Sequence, residues 1–269
     1  PYTQLKLDLT QDLILKGGVR YENSQVDVKD FTTLAKAADG SGAIAVQAGK
    51  FPYRGATYNA GLRYAKYKIF NPFVSFTQGF SVNELGRLVR SAKESTLTNV
   101  NTKPVLTNNY ELGFSSRYDI FSLTAAYFVS SSEDGVNLVE DNNGLLRPER
   151  APEKTNGFEI TLDANISTKW KAAGTYAYVE GKAENEGGSK KYLSGSRIAP
   201  PKATAFVRYA PTAQFNFALN WLMTGNRDRF GTNAKGLYDG GTAPVKSVNL
   251  FNFSANYELN ENWAMSLGL

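Results

Sequence analysis

Cysteine and histidine are both absent from the 269 residues. The first absence excludes a disulfide framework and any thiolate metal site. The second removes the usual general base and the commonest metal ligand, so no catalytic residue and no protein-held metal is assigned. Tryptophan is scarce, at 3 residues, and methionine scarcer, at 2. No run of about twenty apolar residues is available for a membrane helix, and the mean hydropathy is −0.36. Neither sign of charge dominates, with 30 basic against 25 acidic residues and a net charge of +5. That surplus suggests a mild preference for anions and is too diffuse to argue for a nucleic-acid partner. Pro1-Tyr2-Thr3 has neither the basic start nor the apolar core of a signal peptide, so an exported protein would be missing its beginning here.

What the chain does have is alternation. From Phe215 to Gly225, Phe215, Phe217, Leu219, Trp221 and Met223 share one parity, while Asn216, Ala218, Asn220 and Thr224 share the other, with Leu222 the exception. A period of two places these sets on opposite faces of a strand. Tyr110, Leu112, Phe114 and Tyr118 oppose Glu111, Gly113, Ser115 and Arg117 in the same way, and Phe251, Phe253, Ala255 and Tyr257 oppose Asn252, Ser254, Asn256 and Glu258. A soluble sandwich also alternates, but its outer face is rich in Lys and Glu. Here the polar face is mostly Gly, Ser, Thr, Asn and Ala, as expected of a wet lumen behind a lipid-facing wall.

Twelve such strands are expected, at 2–9, 13–22, 57–65, 72–80, 109–118, 121–129, 154–164, 170–179, 202–209, 215–225, 248–257 and 263–269. Short connections (Thr10 to Asp12, Lys66 to Asn71, Asp119-Ile120, Asn165 to Lys169, Ala210 to Gln214, Leu259 to Asn262) alternate with long ones at 23–56, 81–108, 130–153, 180–201 and 226–247. Strict alternation of this kind matches the periplasmic turns and extracellular loops of an outer-membrane barrel. The long segments are rich in turn formers, as in Ala38-Asp39-Gly40-Ser41-Gly42, Asp141-Asn142-Asn143-Gly144 and Glu186-Gly187-Gly188-Ser189. Trp170 and Trp263 each open a strand just after a short turn, at one membrane interface.

If short turns are periplasmic, parity places both ends of the chain outside, whereas single-chain bacterial barrels keep an even strand count and periplasmic termini. Two open edges in lipid would also leave backbone groups unpaired at several kcal/mol each. The expectation is an all-β, antiparallel transmembrane β-barrel that is partial, with no pairing between residues 2–9 and 263–269.

Gln78-Gly79-Phe80-Ser81-Val82-Asn83-Glu84-Leu85-Gly86-Arg87-Leu88-Val89-Arg90, Asn109-Tyr110-Glu111-Leu112-Gly113-Phe114 and Asn156-Gly157-Phe158-Glu159-Ile160 follow one another in this order. They resemble the barrel of a TonB-dependent outer-membrane receptor of the siderophore branch, as do Gly17-Gly18-Val19-Arg20-Tyr21-Glu22 and Trp263-Ala264-Met265-Ser266-Leu267-Gly268-Leu269. The resemblance implies residues 1–269 as roughly strands 10 to 21 of a barrel of about 22, without the plug domain, the TonB box or the first half of the wall. It further implies a place in the outer membrane of a Gram-negative bacterium. Its partners would be a ferric siderophore, outer-membrane lipid and lipopolysaccharide, the plug and TonB. No cofactor is implied, because the iron arrives already chelated.

A ferric chelate needs cations and aromatic planes on loops and on the upper lumen wall, with arginine preferred for planar oxygen-rich groups. The candidates are Arg87, Arg90, Arg147, Arg150, Tyr192, Arg197, Arg227, Arg229 and Tyr238; the competing assignment for each is a solvated loop side chain. Segment 130–153 is acidic, with Glu133, Asp134, Glu140, Asp141, Glu149 and Glu153 against Arg147 and Arg150, which suits divalent cations of the lipopolysaccharide layer. Asp141-Asn142-Asn143-Gly144 resembles a calcium loop superficially but lacks its full spacing and terminal glutamate, so a turn is expected. Lumen-parity charges Glu111, Arg117, Glu159, Lys171 and Arg208 are expected either to meet a plug or to pair across strands. Receptors for cobalamin or an oligosaccharide, and a passive porin or adhesin, remain open alternatives at this level; an enzyme is disfavoured by the missing histidine.

Overall fold

The computed structural model describes residues 1–33, 42–82, 104–140, 146–184, 188–232, 236–238 and 244–269, with backbone alone for Asp134, 136–140 and 146–150. Arg87, Arg90 and the turn-rich stretches at 38–41, 141–144 and 186–187 lie outside the described residues.

Every described element is a strand: β1 (Tyr2–Asp8), β2 (Leu13–Val28), β3 (Phe31–Thr32), β4 (Ala45–Val46), β5 (Gly49–Tyr64), β6 (Asn71–Ser81), β7 (Val105–Tyr118), β8 (Phe121–Glu140), β9 (Leu146–Ala164), β10 (Trp170–Glu184), β11 (Lys190–Tyr192), β12 (Lys202–Tyr209), β13 (Phe215–Thr224), β14 (Val248–Asn260) and β15 (Trp263–Gly268). Twelve of them form one antiparallel sheet in sequence order, β1-β2-β5-β6-β7-β8-β9-β10-β12-β13-β14-β15, with β11 added to β10 and β3–β4 as a separate ribbon. The sheet is open, and no ladder among the described residues joins β1 to β15. No helix among them is long and apolar enough to cross a membrane, which leaves crossing by strands untouched.

Register carries the alternation from strand to strand. Val207, Leu219 and Phe253 lie opposite one another in turn, and Phe206, Asn220 and Asn252 form the adjacent row. Across the middle of the sheet Leu112 faces Tyr127, which faces Phe158, which faces Tyr178. One face is therefore continuously apolar. It is also exposed: Leu112 keeps 63% of its surface accessible, Phe251 64% and Leu219 47%. The accessible surface of 17501 Å² compares with roughly 11,500 Å² for a compact soluble chain of this mass. Among the described residues no core receives the apolar face.

Aromatic rings mark both edges of the apolar band, where amphipathic rings are favoured at a membrane interface. At the short-turn end Trp170 stacks on Tyr209 at 4.2 Å between ring centres, and Phe215 on Tyr257 at 4.3 Å. At the other end Phe158 lies between Tyr176 and Tyr178, at 5.6 and 5.8 Å. Trp170 and Tyr178 are eight residues apart, about 26 Å along a strand, which is the height of a lipid-facing band. The opposite face is polar and bonded within itself: Asn256 donates to Asn216 at 3.0 Å, Thr175 and Thr204 hydroxyls meet at 2.6 Å, and Ser75 donates to Glu111 at 3.3 Å. Lys171 lies directly opposite Arg208, so that expected pairing of lumen charges puts like beside like.

Several strands run past the apolar band. The loops expected at 23–56 and 130–153 are largely strand: β2 extends to Val28, β5 begins at Gly49, and β8 and β9 continue to Glu140 and from Leu146. Backbone pairing persists there after the apolar alternation has ended. Two small apolar cores pin connections against the inner face, one at the far ends of β2 and β5 and one at that of β10. Val46, Phe51 and Tyr53 form one with Val26, Val28 and Phe31; Ala183, Leu193 and Ile198 form the other with Val179. At the short-turn end, Asp119 takes a positive φ of 48° in the two-residue link between Tyr118 and Phe121, a conformation aspartate tolerates better than most residues.

Candidate functional site

The loop end of β10 is where most of the described candidate side chains converge. β12 stops pairing with β10 at Lys202, opposite Ala177, so the next carbonyl of β10 on that side, Val179, has no strand partner. Arg227 fills the gap: its Nη2 donates to the Val179 carbonyl, and its guanidinium lies 5.6 Å from the centre of the Tyr178 ring. Its own backbone is fixed by reciprocal bonds to Val245, at 2.9 and 2.8 Å. Arg227 is 6% exposed, and this burial pushes its pKa below the usual guanidinium value without neutralising it.

Arg229 closes a second contact on the same side. Its guanidinium pairs with Glu180 at 2.8 Å and donates to the Tyr178 hydroxyl at 3.2 Å, while that hydroxyl donates to Glu180 at 2.9 Å. A further bond to Tyr192, with Glu180 beside it, raises the Arg229 pKa. Lys182 lies 4.8 Å above the Tyr192 ring. Tyr238 packs edge-on against the buried Phe230, 6.2 Å between ring centres, and bridges to Thr232. Tyr192, Arg227 and Arg229 are thus brought together around Tyr178 and Glu180, on the parity that faces lipid lower in β10. They tie the connections after β11 and β13 to the wall.

Arg197 stands apart, on the inner side. Its Nη2 donates to Glu153 at 2.7 Å, which links the 188–201 connection to β9. Glu153 sits eleven residues above Ala164, beyond the reach of the bilayer for a spanning strand of about ten residues. Burial raises its carboxyl pKa, and the Arg197 charge and hydrogen bond only partly oppose the rise. The backbone places Arg147 opposite Val139 and Arg150 opposite Val136 in the hairpin of β8 and β9.

Sequence reasoning left out Glu153 as a site residue, and Tyr178 and Glu180 entirely. A signal for the latter two was available: on the parity Tyr176, Tyr178, Glu180, Lys182, aromatic character gives way to charge within two positions, marking the top of the lipid band.

Replacing Arg227 by alanine should open this gap. The Val179 carbonyl loses a charge-assisted hydrogen bond worth about 1.5–3 kcal/mol, and the segment around residues 226–232 loses its anchor. Amide hydrogen exchange in 226–232 and 244–247 is expected to accelerate roughly tenfold or more while β13 remains protected. Unchanged exchange there would show that Arg227 is not the anchor.

The model of the family described as TonB dependent receptor-like, beta-barrel matches residues 1–269. Among curated relatives, the Rhizobactin receptor of Rhizobium meliloti (strain 1021) is 27% identical over 154 residues, covering 51% of this chain and 21% of its own length. The Ferric aerobactin receptor of Klebsiella pneumoniae is 23% identical over 237 residues, covering 78% of this chain and 31% of its own. The chain thus spans a third or less of these relatives. Among solved structures, the ferric-catecholate import receptor Fiu of Escherichia coli K12, in its closed form, superposes with a TM-score of 0.75 at 18% identity over 99% of this chain and 39% of that one. The copper transporter OprC superposes with 0.77 at 16% identity over 98% and 40%. At such identities the likeness is one of fold.

Proposed function

The chain belongs to the TonB-dependent receptor β-barrel family, and from that premise we propose that it is wall, roughly strands 10 to 21 of about 22, of an outer-membrane transporter that takes up a ferric siderophore. The observation that carries this reading is the pair of relatives named as receptors for rhizobactin and ferric aerobactin, both aligned to a chain of the same family. In this reading the plug and the TonB contact belong to other parts of the protein, the edges β1 and β15 pair with further strands, and the apolar band meets outer-membrane lipid and lipopolysaccharide. Iron enters as cargo inside its chelate, so the wall supplies no metal ligands and performs no catalysis. Arg87, Arg90, Arg147, Arg150 and Arg197 are the residues assigned to contact with the chelate. Tyr192, Arg227, Arg229 and Tyr238 frame it by holding the connections in place.

Growth tests this reading. The intact protein, expressed in a Gram-negative host stripped of its own siderophore receptors, should restore growth on iron-limited medium with at least one ferric siderophore. That growth should vanish when TonB is removed. Failure with every siderophore offered, together with steady ion conductance in planar bilayers, would replace the receptor by a passive pore.

A further inference from the structure

The outer face of the wall changes character just above its aromatic edge. Along β9 and β10 its rows run Phe158 opposite Tyr178, then Asn156 opposite Glu180, then Lys154 opposite Lys182. Two like charges directly opposite on a ladder repel, and such a pair is disfavoured unless something compensates it. Lys190 of β11 follows one row higher, opposite Glu184. All three lysines line one groove of about 510 Å³ across β8, β9 and β10.

Within the described residues nothing neutralises them. Lys154 and Lys190 have no ion pair there, and Lys182 rests on the Tyr192 ring at 4.8 Å. Glu180, in the row below, is occupied by Arg229 at 2.8 Å. Asn108, Ser131 and Asn156 line the same groove and add neutral hydrogen-bonding groups.

Depth says what the lysines meet. Lys154 is ten residues from Ala164 at the foot of β9, about the length of a membrane-spanning strand. Lys182 is four residues above Tyr178. At about 3.3 Å per residue and a strand tilt of about 40°, its backbone lies roughly 10 Å above the aromatic edge. That is headgroup level, and a lysine stem can lower its ammonium further. Acids return above the lysines, at Glu133 and Glu184. They would repel a bare polyanion. A phosphate that carries bridging divalent cations satisfies both layers, the ammonium groups below and the carboxylates above.

Resting on the reading of this face as a lipid-facing wall, and not on the cargo, we propose that Lys154, Lys182 and Lys190 form a headgroup site for a phosphorylated glycolipid of the outer leaflet. One phosphate sits between Lys154 and Lys182, and its divalent counter-ions are shared with Glu133 and Glu184. Because Lys190 belongs to β11, the bound lipid also ties the 188–201 connection to β9 and β10. It thereby holds the segment that carries Tyr192 and Arg197.

The test uses the intact protein, purified in detergent and stripped of lipid, with three probes: bisphosphorylated lipid A, the same lipid lacking both phosphates, and inorganic phosphate. Native mass spectrometry reads the bound lipid, and amide hydrogen exchange reads residues 190–193. The wild type should prefer the phosphorylated lipid at least about tenfold, the gain of one charge-assisted hydrogen bond, and that lipid should slow exchange in 190–193. Chelating divalent cations should weaken the binding, and millimolar inorganic phosphate should not displace the lipid. Lys154→Gln combined with Lys182→Gln should abolish both the preference and the slowing. Lys66→Gln, which removes a lysine 5.6 Å above the Tyr67 ring at the short-turn end, should leave both intact. Heat-modified gel mobility verifies folding, and Lys190→Gln alone, in the exposed β11 position, supplies the same test should the double variant fail to assemble. Equal binding of the two lipids, equal losses with Lys66→Gln, or displacement by inorganic phosphate overturns the site. Each of these leaves the receptor reading to its own growth test.

Discussion

Arginine in place of Leu219 should destabilise the folded wall by about 2–4 kcal/mol, the depth-dependent cost of a cation on the lipid face near the midplane. Leu219 lies midway along β13, four residues above Phe215 of the short-turn aromatic edge, and keeps 47% of its surface exposed. Its neighbours across the ladders are Val207 and Phe253, so the new charge has no polar partner within its row. Asn220→Arg, one residue away, should cost less than about 1 kcal/mol, because that side chain faces the polar interior row of Asn252. The comparison is made on the intact protein by the temperature at which heat-modified gel mobility is lost, and by the amount assembled in the outer membrane. Equal losses at both positions would contradict the facing of this strand.

The second large effect concerns glycines beneath aromatic rings on the inner face. Gly157 lies directly opposite Phe128, and Gly113 opposite Phe73. A Cβ at Gly157 would lie 2.1 Å from the Tyr178 carbonyl oxygen and 2.7 Å from Phe128 Cζ. The ring can swing aside, but the carbonyl belongs to the β9–β10 ladder and cannot move without breaking pairs. Gly157→Val should therefore cost about 3 kcal/mol, at the upper end for overpacking. Gly61, on the same inner face, supplies the control: its Cβ would meet nothing nearer than 3.7 Å. Gly61→Val should change the melting temperature little. A similar loss at both would mean that inner-face bulk, and not the close approach at Gly157, sets the limit.

The same physics explains what could be read from residues alone. Within the bilayer one face meets lipid, so every second residue must be apolar. That is why Phe215 to Met223 and Tyr110 to Phe114 announce their strands, and why Trp170 and Trp263 announce their starts. Above the bilayer neither face meets lipid. Ser130, Ser131 and Ser132 carry no period, although their backbones remain in the ladders of β8, and so that stretch reads as loop. The site was less legible for a different reason. Arg227 is buried because β12 ends at Lys202 while β10 runs on to Glu184, a mismatch between strand lengths that no local pattern encodes. Glu153 depends on a bulge in β8 and on a connection arriving from residues 188–201, three pieces of chain that sequence order keeps apart. Tyr178 and Glu180 could have been found from the change of character along one parity of β10.

The absence of cysteine makes the central claim directly measurable. Single cysteines placed in turn at each position from Phe215 to Thr224 of the intact protein, spin-labelled and returned to lipid bilayers, report contact with a lipid-soluble or a water-soluble relaxing agent. Alternation is the expected result, with oxygen favoured at Phe217, Leu219, Trp221 and Met223 and the aqueous agent favoured at Asn216, Ala218 and Asn220. Uniform accessibility along the strand, or a period near 3.6 residues, would contradict a membrane wall with lipid on one face and water on the other.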